Sequence, residues 1–325
     1  MARAREFRTR AWHALASAVL MTLAACSTGP SVESQGAVAA APSAGKHLTI
    51  GSAGSTESEL LARMYALLLG KAGYSTEILP FTSREMYEPA LQSGRIDVVP
   101  EYAATFADWL NTKVNGPDAG TVASPDLART MTALRKLATP RGLTVLGPGS
   151  AAHQYAFAVS ASFARGLRLA TLSDLGRTKL PVLLSADEEC VRRPDCAPGL
   201  TTTYGIDITA VDPRGVGTTR AKQAVQSGRD QMLLTTTTDA TLDDFGLALL
   251  ADDKHLQNAN YIVPVVNRAD AGNTGVTRAL GRLNTVLTTA DLARLNEQVD
   301  SRGRPPQDVA REYLVSKELL RESGG

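Results

Sequence analysis

The stretch His47–Thr105, HLTIGSAGSTESELLARMYALLLGKAGYSTEILPFTSREMYEPALQSGRIDVVPEYAAT, decides the fold, because its apolar pattern alternates between two periods. His47 to Gly51 reads as a strand, and Thr56-Glu57-Ser58-Glu59 has the form of a capping box that opens an apolar-periodic helix to Leu69. Gly70 and Gly73 stop that helix. A strand from Ser75 to Pro80, a helix begun by Ser83 and a strand from Ile96 to Val99 follow. The order β-α-β-α-β predicts an α/β protein with a mostly parallel sheet flanked by helices. The last strand runs into Pro100, Glu101, Tyr102 and Thr105. Polar and aromatic side chains at the carboxyl end of a parallel strand sit where open α/β sheets bind ligands.

Working outward, Ser124-Pro125-Asp126 predicts a helix start with an N-cap, an N1 proline and a first-turn acid, and Leu143 to Leu146 reads as the next strand. Beyond GPGSAAH the strand-like runs YAFAV, PVLLSA, DITAVD and DQMLLTT alternate with helical segments such as Thr218 to Gln226, a second α/β unit. A short echo joins the two units: ALQSGRIDVV (Ala90 to Val99) and AVQSGRDQML (Ala224 to Leu233) each end a helix at Ser-Gly-Arg and enter a strand. NYIVPVVN then reads as a strand ahead of three amphipathic helices, so the chain is expected to cross back near Asn258 to Asn260. Two lobes are expected, residues 47–150 with 259–325 and residues 151–258, joined by two hinge crossings around a cleft.

The amino terminus carries Arg3, Arg5, Arg8 and Arg10 ahead of an apolar run from Ala11 to Ala25, the layout of a secretory signal. Its end, Leu23-Ala24-Ala25-Cys26, looks like a bacterial lipobox. Residues 1–25 are therefore read as a lipoprotein signal peptide, Cys26 as the lipidation site and residues 26–46, rich in Ser, Pro, Gly and Ala, as a tether. The expected location is the outer face of the cytoplasmic membrane, held by the lipid. Among 325 residues, 34 Lys and Arg balance 33 Asp and Glu, a net charge of +1 that favours neither nucleic acid nor an anionic surface. In an oxidising compartment Cys190 and Cys196, flanking VRRPD, are expected to close a small disulfide ring, with two free thiols as the alternative.

Catalytic patterns are scarce. There is no Gly-x-Ser-x-Gly elbow and no phosphate loop, and GVGTTR (Gly215 to Arg220) lacks the third glycine of a dinucleotide fingerprint. No enzyme, cofactor or metal site is expected, and His153 alone more often hydrogen-bonds than catalyses. Tyr65, Tyr74, Tyr87 and Tyr313 are read as core, whereas Tyr102, Tyr155 and Tyr261 lie at strand ends or lobe boundaries. Aromatic faces converging on a cleft suit a quaternary ammonium, at roughly 0.5 to 2 kcal/mol per ring. Arg192 or Arg193 could fork onto a partner carboxylate. Ordinary half-buried tyrosines are the alternative.

From Thr49 to Leu319 the chain resembles the substrate-binding proteins of ABC importers for glycine betaine, choline and related osmoprotectants. The resemblance rests on IGSAGSTESELLARMYALLLGKAGY, SREMYEPALQSGRIDVVPEYAAT, HQYAFAV, RRPDCAPGL, TTDATL and LLADDKHLQNANYIVPVVN. It implies a two-lobed periplasmic-binding-protein fold of type II, working as a monomer with a small-molecule ligand and ABC permease subunits. By motif, Tyr102, Tyr155 and Tyr261 become cage members, Thr105 a hydroxyl donor and Arg193 a carboxylate clamp. Ser55, Thr56, Thr236 and His153 join them as hydrogen-bonding partners. The chain departs from the pattern at Ala53, where Lys is usual, at His153, where an acid is common, and at Thr235 to Asp239, which lacks a tyrosine. The alternatives are the same fold with a diverged ligand, a polar or aromatic solute, or a sensory or scaffold lipoprotein that keeps this fold without transport.

Overall fold

The computed structural model describes residues 46–321. The expected signal segment, Cys26 and the tether up to Gly45 lie outside the described residues. The opening stretch forms β1 (His47–Ala53), α1 (Thr56–Lys71), β2 (Ser75–Phe81), α2 (Arg84–Gln92) and β3 (Val98–Tyr102), in the expected order. Next come α3 (Ala103–Asn115), α4 (Leu127–Ala138) and β4 (Leu143–Val145). The second unit contains β5 (Tyr155–Ser160), α5 (Ala161–Leu167), α6 (Leu172–Thr178), β6 (Pro181–Ala186), α7 (Ala197–Gly199), β7 (Asp207–Pro213), α8 (Thr219–Gln226), β8 (Met232–Thr236) and β9 (Leu247–Leu250). β10 (Ile262–Asn267), α9 (Arg268–Ala271), α10 (Thr274–Asn284), α11 (Thr289–Asp300) and α12 (Pro306–Ser316) follow.

Among the described residues ten strands form two five-stranded sheets, ordered β2-β1-β3-β10-β4 and β7-β6-β8-β5-β9. Position by position the two orders are the same plan. In each sheet four strands run one way and one runs against them: β10 is antiparallel to β3 and β4, and β5 to β8 and β9. The exceptional strand is the one that arrives from the other sheet. It enters at the end where its neighbours finish, so the sheets are mixed rather than purely parallel. The Ser-Gly-Arg echo falls at equivalent places, between α2 and β3 and between α8 and β8. Gly94 and Gly228 both adopt φ 75°, a left-handed turn that glycine makes without steric cost.

Both sheets are covered on both faces. Leu60, Leu61, Met64, Tyr65 and Leu68 of α1 pack with α10, α11 and α12 on one side of the first sheet. Tyr87, Leu91, Phe106, Leu110 and Leu134 from α2, α3 and α4 pack on the other. In the second sheet, Leu172, Leu175, Tyr204 and the disulfide cysteines fill one face, and Ala221, Val225 and Leu242 the other.

Three local expectations shift. The α1 cap is Ser55, whose hydroxyl accepts from the Ser58 N–H, rather than Thr56. Asp126, accepting from Ala128 and Arg129, caps α4 in place of Ser124, because its carboxylate reaches two amides at once. α3 follows β3 without a loop, a helix the strand-end reading did not include.

Candidate functional site

A cavity of about 280 Å³ opens where the strands of both sheets end. From the first sheet Ala104, Thr105 and Asp108 of α3 reach it. From the second come Tyr155 at the start of β5, Thr236 at the end of β8 and Asp195 in the loop beyond β6. The crossing segments between the sheets supply His153, Gln154, Gln257, Asn258 and Asn260. These two segments are bonded to each other: the His153 N–H donates to the Asn260 carbonyl at 3.0 Å, and Ala152 pairs with Tyr261. The Gln257 side chain donates to the Asp195 carbonyl at 2.7 Å, which fastens the loop to the crossing.

That loop is closed by the Cys190–Cys196 disulfide, as expected. Both cysteines are fully buried. Between them Arg193 bonds Asp195 and Asp187, each at 3.1 Å. Its guanidinium also lies 4.6 Å from the Tyr155 ring centroid. One face of Tyr155 is therefore already occupied by a cation, and the ring stands 38% exposed beside the cavity. Burial opposes the Arg193 charge, but Tyr155 and the two aspartates outweigh it and raise the pKa of the guanidinium. Its Nη2 is buried without a hydrogen-bond partner.

Behind His153 lies a polar cluster that joins four elements. The Tyr102 hydroxyl donates to Glu57 Oε1, His153 Nδ1 stands 3.1 Å from the same oxygen, and Asn296 donates to Glu57 Oε2 at 2.7 Å. Thr238 contacts His153 Nδ1 at 2.7 Å, and its carbonyl accepts from Asn296. The Tyr102 and His153 ring centroids are 5.2 Å apart. Burial pushes the Glu57 carboxyl up, but the bond and charge from His153 and the hydroxyls of Tyr102 and Thr238 outweigh it, leaving it below its ordinary value. Burial, then the facing Glu57, drives the Tyr102 phenol well above its usual range.

Glu101, 1% exposed, anchors the end of β3. Arg84 grips it through two bonds of 2.8 Å, and the Tyr87 hydroxyl donates to it as well. Arg84 also donates to the Thr105 hydroxyl at 3.3 Å, so the pair sets where that wall residue stands. Breaking a buried pair of this kind costs roughly 3 to 5 kcal/mol, because the remaining charge loses its partner.

Of the residues singled out in the sequence, Thr105, Tyr155, His153 and Thr236 meet at the cavity. Tyr102 stands one layer behind, against His153. Arg193 touches the wall through Asp195 and Tyr155. Tyr261 is half-buried at the crossing, where its carbonyl accepts from the Ala103 N–H. Ser55 caps α1, and the Thr56 hydroxyl bonds Asp300; neither reaches the cavity. Asp108, Asp195, Gln257 and Asn260 were not singled out. Asp195 sits inside the stapled loop and Asn260 at the expected crossing, which are the signals that point to them. Among the described residues no cluster of metal-ligating side chains occurs, and no helix is long and apolar enough to cross a membrane.

Residues 46–316 match the family described as the substrate binding domain of ABC-type glycine betaine transport system. A glycine-betaine-binding protein of Pseudomonas aeruginosa is 27% identical, the alignment covering 84% of this chain and 88% of that one. A carnitine transport binding protein, OpuCC, of Listeria monocytogenes is 23% identical over 82% of this chain and 85% of its own length. Among solved structures, a glycine betaine/carnitine/choline ABC transporter superposes with TM-score 0.71 at 22% identity, covering 84% of this chain and 98% of the other. Apo YehZ of Escherichia coli gives 0.70 at 23% identity, covering 84% and 99%. With the family matched over almost all described residues and the fold shared with these structures, the chain belongs to the substrate-binding domains of ABC-type glycine betaine transport systems.

Proposed function

We propose that the protein captures a small quaternary-ammonium solute in the cavity between its sheets and hands it to the membrane subunits of an ABC importer. The observation that carries this is the composition of the cavity wall, where the Tyr155 ring and the acidic residues Asp108 and Asp195 come together at the strand ends of both sheets, the Asp108 carboxylate held by Thr121, Val122 and Ala123 and that of Asp195 by Arg193. A methylated cation cannot donate hydrogen bonds, and an aromatic face with nearby carboxylates offers what it can use. The ligands that name the two relatives, glycine betaine and carnitine, share that head group. Residues 47–150 with 259–325 form one lobe and 151–258 the other, and the lobes close about the crossing segments to the extent that the ligand binds the closed form better. Cys26 carries the lipid, residues 26–46 tether a monomer outside the cytoplasmic membrane, and the chain performs no chemistry on its cargo.

A thermal-shift panel tests the proposal. A ligand present at 100 times its Kd stabilises by about 2.7 kcal/mol, so choline, glycine betaine or carnitine at millimolar concentration should raise the melting temperature by several degrees. Thr236→Trp, which fills the cavity, should abolish the rise. No shift with any quaternary amine would refute the assignment.

A further inference from the structure

A helix that begins at a strand end and faces a cleft normally offers its first amides to an anion. α3 has that position, yet its amides are already taken. The Ala103 N–H donates to the Tyr261 carbonyl at 2.8 Å, and the N–H groups of Ala104 and Thr105 donate to Asn260 Oδ1 at 3.1 and 3.0 Å. Asn260 Nδ2 donates in turn to the His153 carbonyl at 2.7 Å, which holds the carboxamide in place. Asn260 is 7% exposed and lines the cavity beside the two amides it covers. A ligand carboxylate would have to displace a side chain that is bonded at both ends.

The rest of the wall offers no permanently charged cation in their place. Asp108 and Asp195 line it, and among the described residues no lysine or arginine does. Arg193, in the adjoining loop, is shared between Asp187 and Asp195, so two carboxylates face one cation. Its Nη2, buried without a partner among the described residues, does not line the cavity, whereas neutral wall groups such as Thr105, Thr236 and Gln257 suit a hydroxyl oxygen.

We propose that Asn260 is a specificity-determining residue: it closes the α3 amides to carboxylates, so the cavity selects a quaternary ammonium with an uncharged, hydroxyl-bearing tail over a carboxylated one. This rests on the quaternary-ammonium reading above. Calorimetric titration of the purified protein with choline, glycine betaine and tetramethylammonium separates the two. The wild type is expected to bind choline at least tenfold more tightly than glycine betaine. Asn260→Ala, which frees both amides, should cut that ratio at least fivefold even if both affinities fall, since a damaged crossing weakens both ligands together. Asn260→Asp keeps an acceptor for the amides and should preserve or widen the ratio. Tighter binding of glycine betaine by the wild type, or an unchanged ratio in Asn260→Ala, overturns the role of Asn260. Failure of all three ligands to bind overturns the quaternary-ammonium reading itself.

Discussion

Glu57 shows how much one buried residue can organise. Its two oxygens gather Tyr102, His153 and Asn296, and so bring α1, β3, the first crossing and α11 together. The carboxyl is held below its ordinary value of 4.5, so the stability it supplies is complete above about pH 4.5 and is lost as pH falls through the lower, folded value. Glu57→Gln should cost roughly 1 to 3 kcal/mol at pH 7 by leaving buried donors poorly matched. It should also flatten the acid limb of the stability profile. Urea melts at pH 7 and pH 4 check this, and an acid limb as steep in the variant as in the wild type would contradict it. Nothing local in the sequence marks Glu57 as more than a first-turn acid of α1. Its partners lie 45, 96 and 239 positions away, and only the fold assembles them. Tyr155, Thr105, His153 and Thr236 were legible because each lies next to a strand end, and strand ends can be read from apolar runs.

At the scale of elements, the stapled loop and α3 differ in how they are specified. The loop is covalently closed by cysteines six positions apart, a spacing visible in the sequence, and its ring is worth about 2 kcal/mol by the chain-entropy argument. Asp195 and Arg193 ride on it. Reduction, or a Cys190→Ser, Cys196→Ser double substitution, should lower choline affinity several-fold along with the melting temperature. Retention of full affinity by the reduced protein would show that the ring does not hold the wall. α3, by contrast, has Tyr102 at its N-cap, and that residue makes no side-chain capping bond. Its caps are Asn260 and Tyr261, more than 150 positions downstream. A helix capped from such a distance carries no local start signal, which is why the sequence shows β3 clearly and α3, with Asp108 on it, hardly at all.

Across the whole molecule one plan is used twice, with β1, β2, β3, β10 and β4 repeated as β6, β7, β8, β5 and β9. The βαβαβ alternation made each half readable, and the antiparallel fifth strand follows from crossing between halves rather than from any pattern inside it. The cavity exists only where the two copies meet, walled by tyrosine and carboxylates and closed to anions at α3 by Asn260. Equilibrium dialysis of labelled choline against the wild type and Tyr155→Ala tests that arrangement most directly. One saturable site per chain is predicted, with a Kd near micromolar, about 8 kcal/mol. Loss of the ring should weaken it about tenfold, roughly 1.4 kcal/mol, within the range for a cation over an aromatic face. Absence of saturable binding, or an affinity untouched by Tyr155→Ala, would contradict it.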